Sequence, residues 1–243
     1  MQLEPRVITF GDIVVATMAL LSRYWLVAVT VYGIFAVAMA GFEIWAMNAF
    51  PTDNPEALYS NGDLLTIIVP SLFAIPVYYL LAERIMVMER LCDSGQPRRY
   101  GAMLGASIMT EIGVLIGFLF VIAPGFILMA RWSIWAPLII AQGREASDSM
   151  QVSWAATSRS QGALAAMWLI VVFGYVGLTA AQVLVSGSWD EDPTLPGYDW
   201  NFVQEVGFGQ VIDSALSMLS MLISIAAYRL LVGSNSDLDA VFA

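Results

Sequence analysis

Histidine is absent from the 243-residue chain, and cysteine occurs only once, at Cys92. Without histidine the chain has neither a histidine-based catalytic triad nor a histidine metal ligand. A single cysteine excludes an internal disulfide and leaves one thiol for any other chemistry. Cys92 falls in a loop expected to face the cytoplasm, where thiols stay reduced, so we expect it to be inert. These absences make an enzyme the weakest class of function, and no cofactor or metal site is expected.

Lysine is absent as well, so all ten basic residues are arginine. The arginines form no group larger than the pair Arg98-Arg99, and no glycine-rich phosphate loop is present. A nucleic-acid-binding surface needs a basic patch, which the sequence does not offer. Nucleic acid is therefore not an expected partner.

Hydrophobic residues, by contrast, make up 59% of the chain, and charged residues only 12%. A hydrocarbon layer about 30 Å thick is crossed by about 20 apolar residues in a helix. We therefore expect an all-α, polytopic membrane bundle that uses residues 1–243 as a single integral membrane domain. Six transmembrane helices are predicted, at about 24–46, 64–88, 102–122, 124–142, 163–185 and 205–231.

The third and fourth predicted spans form one apolar stretch, which we divide at Pro124-Gly125. Proline is tolerated at a helix start and glycine eases a tight reversal. With six crossings, nine of the ten arginines fall on one side of the membrane, and the positive-inside rule makes that side the cytoplasm. Both termini are then cytoplasmic, in a protein of the inner-membrane type. The nine are Arg6, Arg23, Arg84, Arg90, Arg98, Arg99, Arg144, Arg159 and Arg229.

Two segments are candidates for short helices in the membrane interface. At residues 9–22, Thr9 and Asp12 form a capping pair that predicts a helix start, and apolar residues recur on one face. The alternatives are a simple extension of the first span and, less favoured, a signal peptide cleaved after residues 38–40. In the loop 143–162, Met150 and Trp154 stand four residues apart and are expected to share a helix face.

Small residues mark expected helix contacts, because membrane helices associate through close packing. A glycine stripe on the third helix predicts such a contact surface, with either the same chain or another protomer as partner. Serines of the last span, Ser224 among them, are expected to form structural hydrogen bonds rather than a polar transport path. The stripe consists of Gly101, Gly105, Gly113 and Gly117.

Ionisable residues inside the bilayer give the sharpest signal, since each is costly there when unpaired. Glu111, Arg131 and Asp213 lie about 16, 10 and 12 Å from the outer ends of their predicted helices, at 1.5 Å per residue. We therefore expect a network in which Arg131 bridges both carboxylates and Trp135 stacks on the guanidinium. An ion pair that fixes helix register is favoured over a site for an anionic headgroup or a proton. Glu43 is expected to reach the interface.

Residues 124–162 contain a distinctive pattern of residues: Pro124, Gly125, Arg131, Trp132, Pro137, Gly143, Ser153, Trp154, Thr157 and Gly162. This pattern resembles the prokaryotic family of six-helix membrane proteins that includes YciC-like proteins and the membrane domain fused to some glycerophosphodiester phosphodiesterases. The resemblance implies a bundle in which the Pro-Gly turn, the embedded arginine and a cytoplasmic Ser-Trp helix are scaffold features. It implies no reaction, and it places the chain in a bacterial cytoplasmic membrane.

The sequence favours a non-catalytic membrane protein that binds lipids or partner membrane proteins, another copy of itself included. Its arginine-rich cytoplasmic face suits anionic lipid. The alternative is a transporter or lipid-handling protein with an intramembrane site around Arg131, because an arginine suits an anionic headgroup. A hydrated cavity reaching Arg131 would favour the alternative, and dry packing would oppose it.

Overall fold

The computed structural model describes residues 7–50, 61–93, 95–120, 122–186 and 200–242, and these residues form helices and turns without a strand. The expected all-α class is thereby confirmed. Eight helices follow one another along the described chain: α1 (Phe10–Ala49), α2 (Asn61–Met88), α3 (Tyr100–Phe120), α4 (Ile122–Arg131), α5 (Trp135–Gln142), α6 (Ala146–Ala156), α7 (Gln161–Ser186) and α8 (Trp200–Phe242).

Six segments of the described chain are long and apolar enough to cross a bilayer, as the sequence predicts. The fourth of them runs through both α4 and α5. These six candidate spans are Phe10–Ala49, Leu64–Met88, Tyr100–Phe120, Ile122–Gln142, Gln161–Leu184 and Val206–Val232.

The chain divides into two compact units. Unit 1 consists of Met1–Leu26, Ile75–Val171 and Leu219–Ala243, and unit 2 of Val27–Ala74 and Val172–Met218. The core of unit 1 includes fully buried side chains of α5 and α8, among them Ile139 and Leu222. The whole sequence pattern at 124–162 falls in unit 1, whereas Asp213 and Glu43 belong to unit 2.

Helix α1 begins at a reciprocal cap and continues without a break for 40 residues. The backbone N–H and hydroxyl of Thr9 both donate to the Asp12 carboxylate, at 2.9 and 2.7 Å, and the Asp12 N–H donates back to the Thr9 hydroxyl at 3.2 Å. These bonds satisfy orphan donors of the first turn, which confirms the predicted helix start. No break separates 9–22 from the first span, so the segment is an extension of that span and the separate interfacial helix is wrong.

The chain reverses between α3 and α4, but the reversal precedes Pro124 rather than lying at Pro124-Gly125. Helix α3 ends at Phe120 and α4 begins at Ile122. Pro124 is therefore the third residue of α4, within the first turn, where a backbone N–H would have no intrahelical partner. Gly125 is not the turn residue. It lies inside α4, where it faces α3.

A second reversal joins α5 to α6 at Gly143. Gly143 adopts a left-handed backbone conformation with φ of 60°, and its N–H donates to the Ile139 carbonyl at 3.0 Å. This is the usual way in which glycine ends a helix. The helix predicted after the turn is present as α6, but Met150 is buried in unit 1 whereas Trp154 is 41% exposed. The two side chains therefore do not form one interfacial face.

Candidate functional site

Arg131 lies at the end of α4 and contacts Trp154 of α6 in two ways. Its guanidinium carbon lies 4.8 Å from the centre of the Trp154 ring, and its Nη1 donates to the Trp154 carbonyl oxygen at 2.9 Å. The Trp132 ring lies 6.2 Å from the Trp154 ring, tilted by 54°. We call Arg131, Trp132 and Trp154 the Arg131 cluster. All three belong to the sequence pattern, and the fold brings them together.

The predicted partners of Arg131 need correction. The expected bridge to Glu111 is not formed: Arg131 forms no ion pair among the described residues of unit 1, and the Glu111 carboxylate instead accepts from the Ser107 hydroxyl at 2.9 Å. The aromatic ring on the guanidinium is Trp154 rather than Trp135, because the turn at Gly143 returns α6 alongside α5. Asp213 lies in unit 2, and its pairing with Arg131 stays a prediction.

The backbone around Arg131 is held by hydroxyl groups from α6. The candidate span is broken between α4 and α5, so the carbonyl oxygen of Arg131 has no partner within its own helix. It accepts from the hydroxyls of Ser153 at 2.8 Å and Thr157 at 3.1 Å. The Ser153 oxygen also accepts from the N–H of Ile134 at 3.3 Å. Both hydroxyl-bearing residues are fully buried, so they fix the end of α4 from inside unit 1.

Pro137 explains why the span is broken, and α8 supplies the compensating donor. Proline has no N–H, so residue 137 cannot donate to the carbonyl of Ser133, four residues earlier. That buried oxygen accepts from the Ser224 hydroxyl at 2.5 Å instead. The expectation that Ser224 forms a structural hydrogen bond is confirmed.

The guanidinium of Arg131 keeps unused donors. Arginine has five N–H groups, and the contact to Trp154 uses one of them. The Nε atom is buried and has no hydrogen-bond partner among the described residues. A positive charge with free donors therefore lies beside two indole rings, which is an arrangement suited to binding an oxyanion.

The glycine stripe of α3 makes its close contacts within unit 1. A Cβ added at Gly117 would lie 3.0 Å from both Cα and N of Gly125, and one added at Gly113 would lie 2.5 Å from the Trp132 ring. At Gly105 the nearest atom is the Cβ of Ala146, at 3.5 Å, whereas Gly101 faces open space. The partner of the stripe is the same chain at three of its four positions.

No family model, curated protein or solved structure matches the chain. The resemblance carried by residues 124–162 therefore stays a prediction.

A second polar group lies in unit 2. The Gln210 amide donates to the Glu43 carboxylate at 2.8 Å, and Asp213 lies near Glu43 and beside the hydroxyl of Tyr175. Glu43 is half-buried and has a hydrogen-bond partner on α8. Its expected position at the membrane interface stays a prediction. Sequence analysis missed this pairing because the two helices are more than 160 residues apart in the chain.

A third group, also missed, is centred on Glu89. Its carboxylate accepts from Arg23 at 2.5 Å, from Arg229 at 2.9 Å and from the hydroxyl of Tyr24 at 2.8 Å. The Glu89 side chain is only 3% exposed. From the sequence, these arginines are explained by membrane topology alone. The signal for this group is an acidic residue that lies among them at the end of a span. Because its partners come from two helices, Glu89 joins α1 and α8 to the segment that follows α2.

In the described residues, no group of three or more histidine, cysteine, aspartate or glutamate side chains is placed to hold a metal ion. Arg131 is therefore the starting point for assigning a function, because its cluster combines a charge, free donors and an apolar setting.

Proposed function

We propose that the chain is a non-catalytic integral membrane protein that binds an anionic phospholipid headgroup at the Arg131 cluster. The observation that carries the proposal is the set of partners of Arg131. Within the described residues of unit 1 these are a backbone carbonyl and an indole ring, and no carboxylate of that unit is among them. The guanidinium thus has a positive charge without a carboxylate partner from its own unit, in a candidate membrane span.

A charge in this position favours an anionic partner from outside the chain. An arginine at the centre of a transmembrane helix costs at least about 2.5 kcal/mol on insertion scales. Phospholipid phosphates are anions that a membrane supplies in quantity, and the guanidinium fork matches the oxygens of a phosphate. Trp154 is 41% exposed beside the charge, which leaves the cluster accessible from the surface of unit 1.

The proposal includes the topology expected from the arginines. With both termini in the cytoplasm of a bacterium, nine arginines face anionic lipid, and each contributes on the order of 1 kcal/mol when close to the membrane surface. The described helices also expose many apolar side chains. A partner membrane protein, or a second copy of the chain, is therefore a further candidate partner.

A transporter with a pathway at Arg131 is the second candidate, because broken helices often line transport cavities. The break between α4 and α5 is the observation that favours it. Against it, the carbonyls of Arg131 and Ser133 are already bonded to buried hydroxyls of the same unit. Because the backbone carbonyls at the break are already bonded within unit 1, this candidate ranks below lipid binding.

The test compares lipid retention by the full chain and by variants, using native mass spectrometry in mild detergent. Arg131→Gln removes the charge, and Arg131→Lys keeps the charge but loses the fork. Arg159→Gln is the matched control, because it also removes one arginine charge, at an exposed position where the guanidinium forms no hydrogen bond or ion pair in the described chain.

We expect the wild type and Arg159→Gln to retain phosphatidylglycerol in preference to phosphatidylcholine. Arg131→Gln should weaken this binding about tenfold, a loss of one charge-assisted hydrogen-bonding group, and Arg131→Lys should weaken it less. Equal retention by all four proteins, or no preference for the anionic lipid, would refute the proposal.

A further inference from the structure

An open cavity of about 460 Å³ lies in unit 1, between the end of α2 and the segment that follows it. It is separate from the Arg131 cluster and shares no residue with it. Two of its lining residues are arginines and one is a carboxylate. The lining consists of Glu83, Arg84, Val87, Gly95, Gln96 and Arg98.

The charges of this cavity do not cancel. Arg98 donates through Nε to the Glu83 carboxylate at 2.9 Å, so these two residues neutralise each other. Arg84 is exposed, and within the described chain its guanidinium forms no hydrogen bond or ion pair. Counting the described residues, the cavity therefore keeps one full positive charge, and none of them occupies the five donors of Arg84.

The walls of the cavity are held in place by contacts outside it. The Gln96 amide donates to the carbonyl of Ala141 at 3.3 Å, which ties the segment after α2 to α5. Gly95 has a φ of 99°, a conformation that glycine adopts without strain. The Glu83 carboxylate holds the Arg98 side chain against α2. Arg84 is thus the free donor group, and Arg98 is a second guanidinium fixed beside it.

The cavity lies where a membrane span ends. The candidate span Leu64–Met88 reaches its last turns at Glu83 and Arg84. One turn before Glu83, the ring of Tyr79 lies 4.9 Å from that of Tyr100, and the Tyr79 hydroxyl accepts from the Arg99 N–H at 3.4 Å. Tyrosines with bonded hydroxyls beside arginines are typical of the level of lipid headgroups.

We infer that this cavity is a binding site for a phosphate group. Arg84 supplies the free guanidinium fork and the net positive charge, and Arg98, positioned by Glu83, supplies further guanidinium N–H donors next to the bound oxygens. Phosphate is favoured over a carboxylate ligand because its several oxygens can engage two guanidinium groups at once. The group can belong to a phospholipid headgroup or to soluble phosphate. The inference does not depend on the site proposed at Arg131.

The experiment uses the full chain in nanodiscs and two probes. Inorganic phosphate is titrated by calorimetry into nanodiscs of phosphatidylcholine alone, and phosphatidylglycerol binding is measured by native mass spectrometry after release. The variants are Arg84→Gln and Arg98→Gln, with Arg159→Gln as the matched control and Arg131→Gln as the marker of the other site. Arg84 has no partner among the residues that the structure describes, so its replacement is expected to leave the unfolding temperature unchanged.

We expect Arg84→Gln to weaken binding of at least one probe about tenfold, equivalent to about 1.4 kcal/mol. Arg98→Gln should weaken it more, because it also leaves the Glu83 carboxylate unpaired in the cavity. Loss for phosphatidylglycerol alone identifies a lipid site, and loss for inorganic phosphate identifies a site for soluble phosphate. Absence of binding by either probe, or equal affinities for Arg84→Gln and Arg159→Gln, would overturn the inference.

The two sites fail separately in this design. Arg131→Gln leaves the cavity lined by Arg84 intact. Probe binding that Arg84→Gln weakens therefore has to persist in Arg131→Gln. If Arg131→Gln changes nothing while Arg84→Gln does, the cavity is the lipid site and the proposal for the Arg131 cluster is wrong.

Discussion

The hydroxyl of Ser224 lies 2.5 Å from the carbonyl oxygen of Ser133, the atom that Pro137 leaves without a donor. The bond joins α8 to the break between α4 and α5. Ser153 and Thr157 satisfy the neighbouring carbonyl of Arg131 from α6. Three hydroxyls from two helices therefore stabilise a broken membrane span, and in doing so they fix the position of the Arg131 side chain.

Replacing Ser224 tests this arrangement. Ser224→Ala leaves the buried oxygen of Ser133 without its donor, and we expect a loss of about 1–3 kcal/mol in the free energy of unfolding. Pro137→Ala restores an N–H at the position that can donate to the same oxygen. In the Ser224→Ala background it should therefore recover about 1 kcal/mol. Thermal unfolding of the four proteins in one detergent gives the double-mutant cycle.

Ser217→Ala is the matched control for this cycle, because Ser217 lies on the same helix with its side chain exposed. Its effect should stay within about 0.5 kcal/mol. Strictly additive effects of Ser224→Ala and Pro137→Ala would show that the two residues do not share the carbonyl of Ser133.

Glu89→Gln is predicted to destabilise unit 1. The carboxylate accepts bonds from Arg23 and Arg229, and it is almost fully buried. Hydrogen bonds to charged groups contribute about 1.5–3 kcal/mol each when a partner is removed, although the two arginines are partly exposed and solvent weakens the effect. We expect a total loss of about 2–3 kcal/mol by thermal unfolding.

Glu145→Gln serves as the comparison, since Glu145 also pairs with an arginine, Arg99, but its side chain is 70% exposed. An exposed ion pair contributes less than about 1 kcal/mol. If both variants lowered the unfolding temperature equally, the burial of Glu89 would have no special role.

The glycine contact between α3 and α4 predicts opposite effects at two positions of one stripe. A Cβ at Gly117 meets the backbone of Gly125 at 3.0 Å, so Gly117→Ala has to separate the helices at a cost of about 1–3 kcal/mol. At Gly101 nothing lies within 4 Å, and Gly101→Ala should stabilise the helix by up to about 1 kcal/mol. The comparison uses unfolding temperatures, and equal effects would exclude the close contact.

The six spans could be predicted because each depends on a local property, a run of apolar residues. The start of α1 was equally local, since Thr9 and Asp12 lie within one turn. The break in the fourth span was not predicted. Pro137 was the local signal for it, but the same proline is tolerated in many helices. Ser224, the donor that offsets the lost backbone hydrogen bond at the break, lies 91 residues from Ser133 in the sequence.

The site was predicted only in part, because sequence reasoning reaches neighbours along the chain and not residues that the fold brings together. Arg131 was singled out by its charge, but its expected aromatic partner was Trp135, one turn along the same helix. The actual partner, Trp154, reaches it because Gly143 reverses the chain. The glycine contacts show the same dependence: the sequence gives the stripe on α3, and only the fold identifies Gly125 as the facing surface.

The reactivity of Cys92 gives a prediction that depends on pH. Burial, together with the negative charges of Glu83 and Asp93, raises the pKa of the Cys92 thiol to about 11. The reactive form of cysteine is the thiolate, and at pH 8 only about one thiol in a thousand is then ionised. Alkylation by iodoacetamide should therefore be slow at pH 8 and rise about tenfold with each pH unit until pH 11.

Glu83→Gln removes one of the negative charges near Cys92 and should move this pH profile of the alkylation rate to lower pH, whereas Glu145→Gln should leave the profile in place. A rate that levels off near pH 8.5, the pKa of an unperturbed cysteine, would show that the thiol is solvated and that its surroundings do not suppress its reactivity.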